Sequence, residues 1–95
     1  MMHKEEAGKL FSSLGDGSRV KIVKMLYHNT ALSLSNLCER MGMSSAELEP
    51  HLNLLIEVEL ISKQGEQYSC NRDLVEALMA FITPSMLLLN LYYKS

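Results

Sequence analysis

Between Leu34 and Ile56 the chain sets out two helices separated by one enforced stop, and few folds accommodate that pattern. Leu34, Leu37, Cys38 and Met41 fall at i, i+3, i+4 and i+7, the spacing of one apolar helix face. Ser33 or Ser35 can cap the start of this helix. Gly42 is placed to take the left-handed conformation that ends it, and Met43-Ser44 restarts a helix with serine as cap. In the second helix Leu48, Leu52, Leu55 and Ile56 are spaced for a core face, which leaves Ser45, Glu47, Glu49 and Asn53 outward. A short helix, a glycine turn and a second capped helix form a helix-turn-helix signature over about residues 33–58. Pro50 lies some six residues into the second helix, where it costs roughly 3 kcal/mol in a regular interior. A bend at Pro50 is expected, the other possibility being a helix that begins there.

The flanking segments complete a single domain over residues 1–95, of the size that one core supports. Ala7, Leu10, Phe11 and Leu14 give a first helix over residues 4–14, closed by Gly15-Asp16-Gly17. Ser18 is a suitable cap for a second helix, whose apolar face is Val20, Ile22, Val23, Leu26 and Tyr27 and which ends at His28 and Asn29. Beyond the helix-turn-helix, residues 60–70 read as two short strands around Gln64-Gly65-Glu66. Asn71 or Asp73 can cap a helix from about Arg72 to Ile82, and Thr83-Pro84 can open another, so one or two helices occupy residues 72–93. The expected fold is mainly α with a small β-hairpin, in the element order of a winged helix-turn-helix.

Three stretches in one register resemble the arsenical-repressor (ArsR/SmtB-type) transcriptional regulators. The first is Leu14-Gly15-Asp16-Gly17-Ser18-Arg19-Val20-Lys21-Ile22-Val23. The second is Leu34-Ser35-Asn36-Leu37-Cys38 through Met41-Gly42-Met43-Ser44, and the third is His51-Leu52 with Leu55, Glu57, Leu60-Ile61 and the wing ending Tyr68-Ser69. The resemblance covers about residues 10–82. The lack of a signal-peptide pattern leads to the expectation of a cytoplasmic protein, and the resemblance implies a homodimer joined through the first and last helices, a recognition helix around Ser44–Glu57 for the major groove, the hairpin as a DNA-contacting wing, and an operator with two-fold symmetry. On that reading Ser44, Ser45, Glu47, Glu49 and His51 face the groove, Lys63 and Gln67 serve the wing, and Arg19, Lys21 and Lys24 are the nearest phosphate contacts. Arg19, opening the second helix, could equally pair internally with Glu39 or Glu57.

Charge opens a second reading. The net charge of −2 and pI near 5.9 imply no bulk attraction to nucleic acid. The distribution is uneven: residues 1–30 carry five bases and three acids, whereas residues 31–60 carry Arg40 against Glu39, Glu47, Glu49, Glu57 and Glu59. Phosphate contact needs lysine and arginine beside the docking face, and here the helix-turn-helix is the most acidic third. The alternative to a DNA-binding regulator is therefore a winged-helix protein-interaction module, which presents its acidic recognition face to a protein partner.

Other chemistries find little support in the sequence. Two cysteines make no disulfide framework, and a reducing compartment is expected. Cys38 falls where metal-binding members of the resembled family place the last cysteine of a CxCxxC run, but Ser33 and Ser35 occupy the other two places, so no metal site is carried over. Cys38 and Cys70 are the candidate thiol-sensor pair, with a structural role on the apolar face as the other reading of Cys38. His3, His28 and His51 share no zinc-motif spacing, and neither a nucleophile in a histidine-acid context nor a glycine-rich phosphate loop occurs, so no catalytic residue, enzyme activity or cofactor is expected. The seven methionines read as core filling. No signal-peptide pattern follows the N-terminus, and the apolar stretch 74–93 contains Glu76, Pro84, Ser85 and Asn90, which favours a subunit contact over a membrane span.

Overall fold

A computed structural model describes residues 4–81 of the chain. The elements run α1 (Lys4–Ser13), α2 (Gly17–His28), β1 (Leu32–Ser33), α3 (Leu34–Met41), α4 (Ser45–Glu57), β2 (Ile61–Gln64), β3 (Gln67–Cys70) and α5 (Arg72–Phe81). This is a winged helix-turn-helix, and the expected hairpin is part of a three-stranded antiparallel sheet of order β1-β3-β2. The added strand β1 pairs Leu32 with Tyr68 and Ser33 with Gln67. It ties the entrance of the helix-turn-helix to the wing. The segment that could hold a further helix from Pro84, and the question of a break at Thr83-Pro84, lie outside the described residues, as does most of the stretch 74–93. Among the described residues no helix is long and apolar enough to cross a membrane.

Helix boundaries follow from local chemistry, with one correction. The cap of α2 is Asp16 and not Ser18: the Asp16 carboxylate accepts from the backbone N–H groups of Ser18 and Arg19 at 2.8 and 3.3 Å. A carboxylate two positions earlier serves better because it also meets the positive end of the helix dipole. Ser33 caps α3 by accepting from Asn36 N–H at 3.1 Å, and Asn71 caps α5 by accepting from Leu74 N–H at 3.2 Å. Gly42 stops α3 at φ 65°, ψ 33°, the left-handed region anticipated for it. The hairpin closes on a two-residue turn whose first residue, Gly65, has φ 61°.

α4 runs unbroken through Pro50, so it does not begin there. Pro50 removes the N–H that would bond the Ala46 carbonyl, but both residues are exposed and water can satisfy that oxygen. The helix ends in a Schellman arrangement, with Leu60 N–H bonded to Leu55 O at 3.0 Å and Glu59 N–H to Ile56 O at 2.9 Å. Glu59 takes the left-handed position, at φ 66°, which glycine usually holds.

The core lies beneath α4. Leu48, Leu52 and Leu55 are fully buried against Ile22 and Leu26 of α2, Leu37 of α3, Leu60, and Val75 of α5. Met41, Met43 and Cys38 pack against this cluster from its edge, and Met25 does so from α2. The apolar faces read from sequence are thus the faces that meet.

Candidate nucleic-acid interface

The outward surface of α4 exists because its inner surface is fixed. Ser44 and Glu47 form a reciprocal capping box: Ser44 Oγ accepts from Glu47 N–H at 3.2 Å, while Glu47 Oε1 accepts from Ser44 N–H at 3.1 Å and from the Ser44 hydroxyl at 3.0 Å. The donors of Ser44 hold the Glu47 carboxyl below the usual carboxylate range, through the backbone bond first and the hydroxyl second, against a smaller opposing effect of burial. Met43 before the cap and Leu48 after it both pack into the core and set the angle at which the helix starts. Ser44 and Glu47, expected to face the groove, are therefore exposed but committed to one another. Ser45, Glu49 and Asn53 are exposed as expected, and no hydrogen bond or ion pair within the chain holds them among the described residues.

His51 and Arg19 are brought together. Arg19 Nη1 lies 3.2 Å from His51 Nδ1, and Arg19 Nε donates to the Ser13 carbonyl at 2.6 Å. Because guanidinium has only donors, Nδ1 accepts and the ring proton sits on Nε2. Both residues are half-buried. Arg19 thus ties the α1–α2 turn to the recognition helix, and neither Glu39 nor Glu57 is its partner. Glu57 instead pairs with Lys9 of α1. Asp16 stands at the same corner. Partial desolvation acts to raise its pKa, but bonds from Arg19 and Ser18 N–H, with the charge of Arg19, hold it below its ordinary value.

The remaining predicted residues divide between helix and wing. Lys21 is exposed on α2, whereas Lys24 is half-buried. On the wing Lys63 stands opposite Tyr68, with its ammonium 5.6 Å from the ring centroid, and Gln67 is exposed beside the turn. Cys38 and Cys70 are free and half-buried. Burial pushes the Cys70 thiol up to about 11, against the lowering charge of Arg72 and with a smaller raising contribution from Glu76. Among the described residues no group of three or more His, Cys, Asp or Glu side chains could hold a metal ion.

Sequence reasoning missed Lys9, whose partner lies 48 positions away, and Asp16. The Asp16 signal was legible: a short acidic side chain four residues before the first buried position of a helix, Val20, is a cap.

A capped outer helix, a helix packed across it and a hairpin at its end define the winged helix-turn-helix fold of DNA-binding regulators. Solved structures share it. The chain matches reduced HlyU from Vibrio cholerae N16961 with a TM-score of 0.64 and 24% identity, covering 83% of this chain and 90% of that one. It matches HlyU from Vibrio cholerae N16961 with a TM-score of 0.64 and 26% identity, covering 84% and 97% respectively. No family model matches the sequence, and no curated protein does.

Proposed function

We propose that the protein is a transcriptional regulator of the arsenical-repressor type, a homodimer that binds a two-fold operator through α4 and the β2–β3 wing. Its support is the presentation of α4: the inner face is fully buried while Ser45, Glu49 and Asn53 stand exposed. The acidity of α4 is also less adverse than its composition implies. Glu57 is paired with Lys9, and Glu47 is held at the positive end of its own helix, which leaves Glu49 as the carboxylate available to a base edge. Lys21, Lys63 and Gln67 are the exposed candidates for phosphate and groove contact, with Lys24 beside them. Arg19 and His51 act as positioning residues.

Dimerisation would use α1 and the C-terminal helix. Phe11, 42% exposed, is the large exposed hydrophobic side chain among the described residues, and it lies on α1. A thiol-sensor role for Cys38 and Cys70 is the weaker part of the reading, because a thiol pushed up to about 11 is almost wholly protonated at neutral pH and a poor nucleophile.

The second reading, an interaction module for a basic protein partner, is favoured by the absence of any lysine or arginine from α4. Binding to random duplex DNA separates the two. A regulator binds measurably at about 50 mM salt and loses affinity steeply toward 200 mM. No binding at the lower salt excludes DNA as the partner. Sedimentation of the wild type and of Phe11→Glu tests the dimer.

A further inference from the structure

Burial of Leu48, Leu52 and Leu55 turns the opposite side of α4 to solvent, where Ser45, Ala46, Glu49, Pro50 and Asn53 are all exposed. That side carries no lysine or arginine, the residues that most often read guanine by a bidentate bond to O6 and N7. We infer, resting on the DNA-binding reading, that Glu49 sets base preference in the operator: it selects cytosine by accepting a hydrogen bond from the exocyclic amine in the major groove.

Two of the three carboxylates on α4 are engaged within the chain. Glu47 closes the capping box with Ser44, and Glu57 pairs with Lys9. Glu49 makes no hydrogen bond or ion pair within the chain among the described residues. It is the fifth residue of a helix of 13, in the N-terminal part from which recognition helices contact base edges. The capping box before it, and the buried Leu48 and Leu52 on either side of it, fix the backbone that carries it.

An ionised carboxylate only accepts hydrogen bonds. The N7 and O6 acceptors of guanine and the O4 acceptor of thymine repel it, which leaves the amines of cytosine and adenine. Adenine places its N7 acceptor beside the amine, against the second carboxylate oxygen, whereas cytosine presents its amine without a neighbouring acceptor of its own. Cytosine is therefore the better partner. Asn53, one turn further on and about 6 Å along the axis, carries both a donor and an acceptor and matches adenine N6 and N7. Attraction to phosphate falls to Lys21 and Lys63, which lie outside α4, on α2 and β2. The negative charge of Glu49 opposes that attraction, so it weakens binding on every sequence and the loss is offset only where a cytosine amine meets it.

Selection of sites from a random duplex library by the full chain, at about 50 mM salt, tests this. The wild type should select cytosine at a fixed position of each half-site. Glu49→Gln should move that preference to adenine, which glutamine matches at N6 and N7, and Glu49→Ala should select no base there. Both variants should bind random duplex more tightly than the wild type, a gain that loss of negative charge explains and that does not by itself move base preference. Lys21→Gln should weaken binding on all sequences alike and keep the cytosine. Replacing each selected cytosine in turn by pyrimidin-2-one, which lacks the amine, should weaken wild-type binding about fivefold or more at one position of the half-site and leave Glu49→Ala unaffected. Failure of the wild type to bind any duplex overturns the DNA-binding reading and this inference with it. Binding with no selected cytosine, with the same cytosine preference in Glu49→Ala, or with no loss on removing the amine overturns the inference alone. The wild-type measurements on modified duplexes decide the matter even where a variant fails to fold.

Discussion

Replacing Glu59 with glycine should stabilise the protein, although it deletes a side chain. Glu59 holds φ 66° at the end of the recognition helix, and for an L residue that conformation costs about 1–2 kcal/mol. Its carboxylate is exposed and makes no hydrogen bond or ion pair among the described residues, while its backbone does the work: Glu59 N–H bonds Ile56 O at 2.9 Å, and Glu59 O accepts from Asn71 Nδ2 at 3.0 Å. Glycine keeps both backbone bonds and relieves the strain, but loosens the unfolded chain by about 0.4–1 kcal/mol. The net gain is about 0.5–1 kcal/mol, or about 2–8 °C in Tm for a domain of this size. Gly42 is the reciprocal control. It has φ 65° at the end of α3, with open space where a Cβ would go, so Gly42→Ala should lower stability by about 1 kcal/mol through backbone strain alone. Urea titration at pH 7 with equal m-values, supported by calorimetry, measures both changes. An unchanged or lowered stability for Glu59→Gly, beside a destabilised Gly42→Ala, would refute the claim that this helix end is strained.

Four further outcomes follow from the same geometry. Ser44→Ala should cost about 0.5–2 kcal/mol and Ser44→Asn much less; because the Glu47 pKa is depressed in the folded state, its contribution is fully present above about pH 4.5 and lost as pH falls through the folded value, a slope that Ser44→Ala should flatten in acid-unfolding curves. Leu52→Ala, at a position with no exposure, should cost about 2–5 kcal/mol in denaturant unfolding, a large part of the total stability of a small domain. Cys70 should resist alkylation at pH 7 to 8 and react increasingly as pH approaches 11, and stability should fall over that alkaline rise, since the unfolded thiol ionises first; rapid native-state labelling at pH 7 would contradict the burial assigned to it. Arg19→Lys should weaken duplex binding nearly as much as Arg19→Ala, because one ammonium cannot replace the fork that reaches both Ser13 O and His51 Nδ1; full recovery by lysine would show that Arg19 acts through its charge.

Legibility in the sequence tracked the range of the interactions. The stop at Gly42, the restart at Ser44, the apolar stripe Leu48, Leu52 and Leu55, and the cap at Asn71 each depend on residues within about four positions, and all stand as expected. Strand β1 was not legible. Two residues carry no periodicity, and Leu32-Ser33 is a strand because β3, some 35 positions later, offers it an open edge. Residue type makes Ser18 a suitable cap for α2, but Asp16 caps it, because the position of a cap depends on where the backbone turns.

The sequence by itself determined the succession of elements and the faces they would bury, because hydrophobic period and capping chemistry act along the chain over a turn or two of helix. What each surface side chain is free to do was decided by tertiary structure. The docking of α2 and α1 against α4 brings Arg19 to His51 across 32 positions and Lys9 to Glu57 across 48. The first contact turns a candidate for phosphate binding into a brace, and the second neutralises one acid of the recognition helix. No local pattern encodes such pairings, because they depend on how finished elements pack, and the same apolar stripes could have met at other angles.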